Sequence, residues 1–157
     1  MTYRFRMALT MMAFALPLSA SAFFAAPNGG DTQVDRYLES IHFPSSYRQS
    51  IQQRIQQTGN NDALAQHLSQ LTDQQILAAM APIVHAQLSE DDARILADFF
   101  SSPAAQALAA HQTLSDDQQA QVKQFLAQHG PLVAKMNQFF HDPNEQRQML
   151  AALLMIK

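Results

Sequence analysis

The chain has 157 residues, a formal charge of −3, 47% hydrophobic residues and no cysteine. Disulfides, thiolate catalysis and cysteine-held metals are thereby excluded, so an apolar core of ordinary size must hold the fold unaided. The basic residues form no run that could neutralise a phosphate backbone or an anionic lipid surface, and neither nucleic acid nor a membrane surface is an expected partner.

Arg4 and Arg6 precede an apolar run from Met7 to Leu18, and Ser19-Ala20-Ser21-Ala22 follows. A basic start, an apolar centre and small residues in an Ala20-x-Ala22 ending are the three parts of a secretory signal. The run holds Pro17 and is shorter than the roughly 20 apolar residues a spanning helix needs. We read residues 1–22 as a cleavable signal peptide cut after Ala22. That reading sends the product to the periplasm or exterior of a Gram-negative bacterium, with no stable membrane anchor after cleavage. Without Arg4 and Arg6 there remain 8 basic and 13 acidic residues, a charge of −5. Residues 23–30, Phe-Phe-Ala-Ala-Pro-Asn-Gly-Gly, read as a flexible leader, and residues 31–157 as a single helical domain.

From Asp31 onward the apolar residues return every third or fourth position, 21 glutamines favour helix, and period-two alternation is absent. The class expected is all-α, a compact bundle of about seven to nine short antiparallel helices. The first runs from Asp31 to about His42 with Val34, Leu38 and Ile41 on one face, ending before Pro44. Ser45 or Ser46 caps the second, which carries Tyr47, Ile51 and Ile55 and stops at Gly59. The third, from about Asn61, carries Leu64, Leu68 and Leu71. Thr72 opens the fourth, through Ile76, Leu77, Met80, Ile83 and Val84, and Pro82 predicts a kink or break near Ala78–Met80.

The second half contains a weak repeat: Leu88–Phe99 aligns with Leu114–Phe125 at an offset of 26 residues. Each copy has an apolar residue, a Ser cap, acids in the first turn, and then Leu96 or Val122 and Phe99 or Phe125 on one stripe. First-turn acids are favourable by roughly 0.3–1 kcal/mol each through the helix dipole. After the first copy, Ser102-Pro103 caps a short helix through Leu108. After the second, Gly130-Pro131 is expected to do a related job before Leu132, Val133, Met136 and Phe139-Phe140. Asp142-Pro143 opens the last helix, with Met149, Leu150, Leu153 and Leu154.

The stretch Leu88–Ala109, above all Phe99-Phe100-Ser101-Ser102-Pro103, resembles a family of secreted bacterial helical proteins catalogued as domain of unknown function 2059. The aromatic pair and the Ser-Pro step match, whereas the family's glycine and basic residue are replaced by Ala105 and Ala107. The resemblance implies an exported α-helical protein and supplies no activity. Leu71-Thr72-Asp73-Gln74-Gln75, and nearly Leu114–Gln118, is similar to the Leu-Thr-x-x-Gln motif of small periplasmic stress chaperones. Thr-x-x-Gln and Ser-x-x-Gln are equally the pattern of a capping box, with Leu71 placed to staple to Ile76.

Candidate chemistry is sparse. Among His42, His67, His85, His111, His129 and His141, no two have the three- or four-residue spacing of ligands on one helix face. Glu90, Asp91, Asp92, Asp116 and Asp117 sit where helices begin and read as cap chemistry, and Asp98 reads as an exposed partner of Arg94 four residues earlier. Ser102 lies in no nucleophile elbow and caps the helix at Pro103. No catalytic, metal or cofactor-binding residue is therefore assigned. The surface of interest is the last helix: Met149-Leu-Ala-Ala-Leu-Leu-Met-Ile156 is apolar around more of its circumference than one buried face requires. The function expected is a non-enzymatic envelope protein that contacts a protein partner, or its own copy, through that helix. The alternatives are an ATP-independent holdase and a hydrolase or ligand-binding domain with a site between helices.

Overall fold

The structure is a computed structural model and describes residues 32–58 and 62–156. The expected signal peptide (1–22) and expected leader (23–30), with Asp31, Gly59 and Asn61, lie outside the described residues. Among those described, eight α-helices and no strand are present: α1 (Gln33–Ser40), α2 (Phe43–Thr58), α3 (Asp62–Gln70), α4 (Asp73–His85), α5 (Glu90–Phe100), α6 (Pro103–Ala109), α7 (Asp116–His141) and α8 (Pro143–Leu154). The fold is all-α, as the apolar period requires.

Short polar side chains set most of the helix starts. Thr32, Thr72, Ser89, Ser102, Ser115 and Asp142 each accept from backbone N–H groups of the first turn of the helix that follows. Thr32, Thr72 and Ser115 close full capping boxes with Asp35, Gln75 and Gln118. A lost cap costs about 1 kcal/mol, enough to fix where a helix begins. Two helices end on a histidine in the left-handed region, His42 with φ 50° and His111 with φ 54°. At His111 the ending is a Schellman motif: the Gln112 N–H donates to the Ala107 carbonyl and the His111 N–H to the Leu108 carbonyl.

The core is assembled around α4, which packs against α1, α2 and α8. Its residues Ile76, Met80 and Val84, spaced by four, are fully buried. The most extensive pairing is α1 on α5, where Val34, Tyr37 and Leu38 join Ala93, Leu96 and Ala97 in the same core. Helix α7 lies against α5, α6 and α8. From α8, Met149 and Leu153 enter the core at 1% and 0% exposure, so this face of the last helix is structural.

Two proline expectations are corrected, and the break that was one of the two outcomes expected of Pro82 is absent. α2 begins at Phe43, ahead of Ser45 and Ser46, with Pro44 buried in its first turn. Proline is tolerated there because a first-turn N–H has no intrahelical partner to lose. α4 runs without a break through Pro82, whose exposed ring lies off the buried stripe. The largest departure is α7, a single 26-residue helix in which Gly130 and Pro131 are interior. An interior proline costs about 3 kcal/mol and a glycine about 1. The apolar stripe outweighs that cost because it keeps phase across the pair, from Val122 and Phe125 to Leu132, Met136 and Phe139. The second copy of the repeat is therefore one long helix, whereas the first is a pair, α5 and α6.

Because Pro131 is exposed and interior to α7, Pro131→Ala should stabilise the protein by about 1–3 kcal/mol, supplying the N–H that the helix lacks there and removing the ring that crowds the preceding turn. Urea unfolding checks this: the midpoint should rise with unchanged slope. A fall would mean that the chain breaks at this residue.

Candidate functional site

Helix α8 presents two faces. Met149 and Leu153 are core, Leu150 is half-buried, and Leu154 and Met155 stand 53% and 82% exposed. Among the described residues these last two are the large apolar side chains left in solvent. The end of the helix is also held from outside, since His67 of α3 donates from Nε2 to the Leu153 carbonyl at 3.0 Å. Beside Leu150 a groove of about 320 Å³ runs between α2 and α8, lined by Ile51, Arg54, Pro143, Gln146, Arg147 and Leu150. Its apolar lining and two guanidinium groups come from stretches of chain far apart in sequence, which is why sequence reasoning did not find it. The one local signal was Arg147, three residues before Leu150 and hence on its side of the helix.

The motif residues Phe99, Phe100, Ser102 and Pro103 are brought together for packing. Phe99 stacks on Phe125 with centroids 3.7 Å apart and planes within 2°, so the matched residues of the two repeat copies meet face to face. Phe100 stands edge-on to Phe99 at 5.3 Å and reaches Tyr37 of α1 at 6.0 Å. Such contacts contribute about 0.5–1.5 kcal/mol beyond their area. Ser102 Oγ accepts from the Ala105 N–H at 3.3 Å, and Pro103 takes the first helical position. The hydroxyl that could have been a nucleophile is a cap.

The Leu-Thr-x-x-Gln segment is likewise absorbed by local structure. Thr72 Oγ1 accepts from the Gln75 N–H at 3.2 Å, and Gln75 Oε1 accepts from the Thr72 N–H at 2.8 Å. Leu71 and Ile76 are both core residues on either side of the cap. Arg48 of α2 pairs with Asp73 and donates to the Leu71 carbonyl, pinning the start of α4 to α2. Ser115 and Gln118 repeat the reciprocal bonds at 3.3 and 3.0 Å.

Charged groups link helices. Glu90 Oε2 accepts from the Gln33 N–H at 2.8 Å while its Oε1 meets His85 Nε2 at 3.0 Å, so one carboxylate joins α1, α4 and α5. Arg94 turns to Asp91 at 3.0 Å, and Asp98 is left for Arg36 of α1 at 3.4 Å; the expected Arg94–Asp98 pair is replaced by these two. His141 donates from Nδ1 to the Asn137 carbonyl at 2.7 Å, and His129 lies tilted on Phe125 at 5.2 Å. Among the described residues no group of three or more His, Asp or Glu is placed to hold a metal ion.

Tyr37 and Tyr47 are buried, and neither hydroxyl has a hydrogen-bond partner. Burial disfavours the phenolate at both. It drives the Tyr37 ionisation up strongly and pushes Tyr47 up to about 12, with Arg54 pulling the latter partly back. Tyr47 had been read for its apolar body alone, and Tyr37 not at all.

No protein-family model, curated protein or solved structure matches this chain.

A buried hydroxyl without a partner costs about 1–3 kcal/mol, so Tyr37→Phe should raise stability by about 1 kcal/mol at neutral pH. Both phenols hold their proton more tightly folded than unfolded. Their contribution is therefore complete below pH 10, the ordinary phenol value, and is lost as pH rises through about 12. Unfolding followed from pH 8 to 12 should show that alkaline loss reduced in Tyr37→Phe and Tyr47→Phe. A less stable Tyr37→Phe at neutral pH would show that the hydroxyl is bonded after all.

Proposed function

We propose that this protein is an exported, non-enzymatic helical domain of the Gram-negative envelope that works by protein–protein contact through the outward face of α8. The observation that carries the reading is the division of that helix. With its inner face already in the core, Leu154 and Met155 contribute nothing to folding by their exposure, yet they are large and apolar and lie beside half-buried Leu150. Fully burying one such side chain is worth about 1.5–3 kcal/mol, the size of an interface anchor.

Export rests on the three-part signal at residues 1–22 and on the likeness of Leu88–Ala109 to the secreted family catalogued as domain 2059. A non-enzymatic role is supported by how the candidate groups are used: Ser102 in a cap, the first-turn acids at helix starts, Arg48 and Glu90 in helix-to-helix links. The holdase reading draws on the same exposed apolar end, but the residues behind its motif resemblance, Thr72 and Gln75, bond to each other.

One experiment in living cells separates these readings. A photo-reactive phenylalanine analogue replaces Leu154, or as a control Lys123 on the exposed side of α7, and the protein is recovered from the periplasmic fraction. We expect an intact mass beginning at Phe23 and a discrete adduct to one protein from position 154 but not from 123. Retention of residues 1–22 in the cytoplasm would contradict export, and equal labelling from both positions would contradict the contact face. Adducts spread over many proteins in proportion to abundance would favour the holdase.

A further inference from the structure

Resting on that contact reading, we propose that Met155 is an oxidation site, and that converting its thioether to the sulfoxide releases the partner held at the outward edge of α8. Exposure is the first argument. The chain has eight methionines. Met1, Met7, Met11 and Met12 fall in the expected signal peptide, which leaves Met80, Met136, Met149 and Met155. Met80 and Met136 are 0% exposed and Met149 1%, whereas Met155 is 82% exposed. The susceptibility of a thioether follows its access to the oxidant. No cysteine or tryptophan is present to react in its place, and Tyr37 and Tyr47 are buried. Met155 is therefore the side chain that a mild oxidant reaches first.

Position is the second. The step is an oxygen transfer from a peroxide. A lone pair on Met155 Sδ attacks one peroxide oxygen, the O–O bond breaks as the S–O bond forms, and the other oxygen departs as hydroxide. That hydroxide takes the proton of the transferred hydroxyl and becomes water; sulfur has lost two electrons and the peroxide has gained them. The product is a polar side chain in place of an apolar one. At Met80, Met136 or Met149 it would set a sulfoxide oxygen among core side chains, an unpaired polar group in an apolar surrounding. At Met155 it stays in water and leaves the core untouched. Beside Leu154, however, it turns an apolar anchor into a hydrogen-bond acceptor that must be dehydrated before a partner can close over it. The division of α8 places the reactive methionine on the contact edge and the shielded one, Met149, beneath it. Contact and fold thus respond to an oxidant separately.

The test follows each methionine by peptide mass in the purified protein treated with dilute hydrogen peroxide. Met155 should gain one oxygen about tenfold faster, or more, than Met80, Met136 and Met149, which react only when the fold opens. The helical spectrum and the urea midpoint should not change, and methionine sulfoxide reductase should restore the original mass. In cells carrying the photo-reactive analogue at position 154, a peroxide pulse before illumination should lower the discrete adduct roughly fivefold. Met155→Leu keeps the apolar bulk and cannot be oxidised, so its adduct should survive the pulse. Met155→Gln, polar from the outset, should give the low level without peroxide. Similar oxidation rates at all four methionines, or a Met155 slower than the buried three, would overturn the proposal. So would an equal fall of the adduct in the parent and in Met155→Leu. A discrete adduct that peroxide leaves unchanged would remove this proposal and leave the contact reading standing, whereas no discrete adduct from position 154 before any peroxide would remove both.

Discussion

The seating of α8 on α4 decides both how this protein holds together and what it shows to its surroundings. α4 offers Ile76, Met80 and Val84, all fully buried, and α8 answers with Met149 and Leu153. Successive residues of an α-helix point about 100° apart. Once Leu153 is turned into the core, Leu154 must turn away from it, and Met155 follows. His67 fixes the same arrangement from α3 by donating to the Leu153 carbonyl. A single rotational setting of one helix thus produces an anchor and an exposed apolar edge together.

Without cysteine, the elements are kept in place by polar links at their ends. Arg48 fastens α2 to the start of α4, Glu90 ties α1 and α4 to the start of α5, and Lys135 of α7 donates to the Gln87 carbonyl between α4 and α5 at 2.6 Å. Each is partly or wholly solvent-exposed, and such links contribute little energy individually. Their effect is positional: they sit at the caps, where the chain changes direction. Apolar burial supplies the stability, and the caps choose the boundaries.

Much of this was legible in the sequence. The caps at Thr72, Ser89, Ser102, Ser115 and Asp142 all open helices, because a hydroxyl or carboxylate followed by an apolar period is a strictly local signal. The stripes of α4 and α8 were likewise visible. What misled was punctuation read without phase. Gly130-Pro131 looked like a boundary, yet the stripe on either side of it stays in register, and an exposed proline in a well-docked helix did not end α7. The pairing of Asp98 with Arg36 and the meeting of Arg54 with Arg147 at one groove could not be read from spacing, because both depend on how separate helices pack. The repeat was half informative: its matched phenylalanines meet face to face, while the helices that carry them differ in length.

The account stands or falls on the orientation of α8, and two neighbouring leucines report it. Leu153 is 0% exposed and Leu154 53% exposed, so truncating each to alanine should have very different consequences for urea unfolding. Leu153→Ala should cost about 2–5 kcal/mol, as for a buried leucine, and Leu154→Ala should stay within about 0.5 kcal/mol of the parent. Equal losses at the two positions, or the larger loss at Leu154, would mean that α8 is turned otherwise and that its exposed edge does not exist.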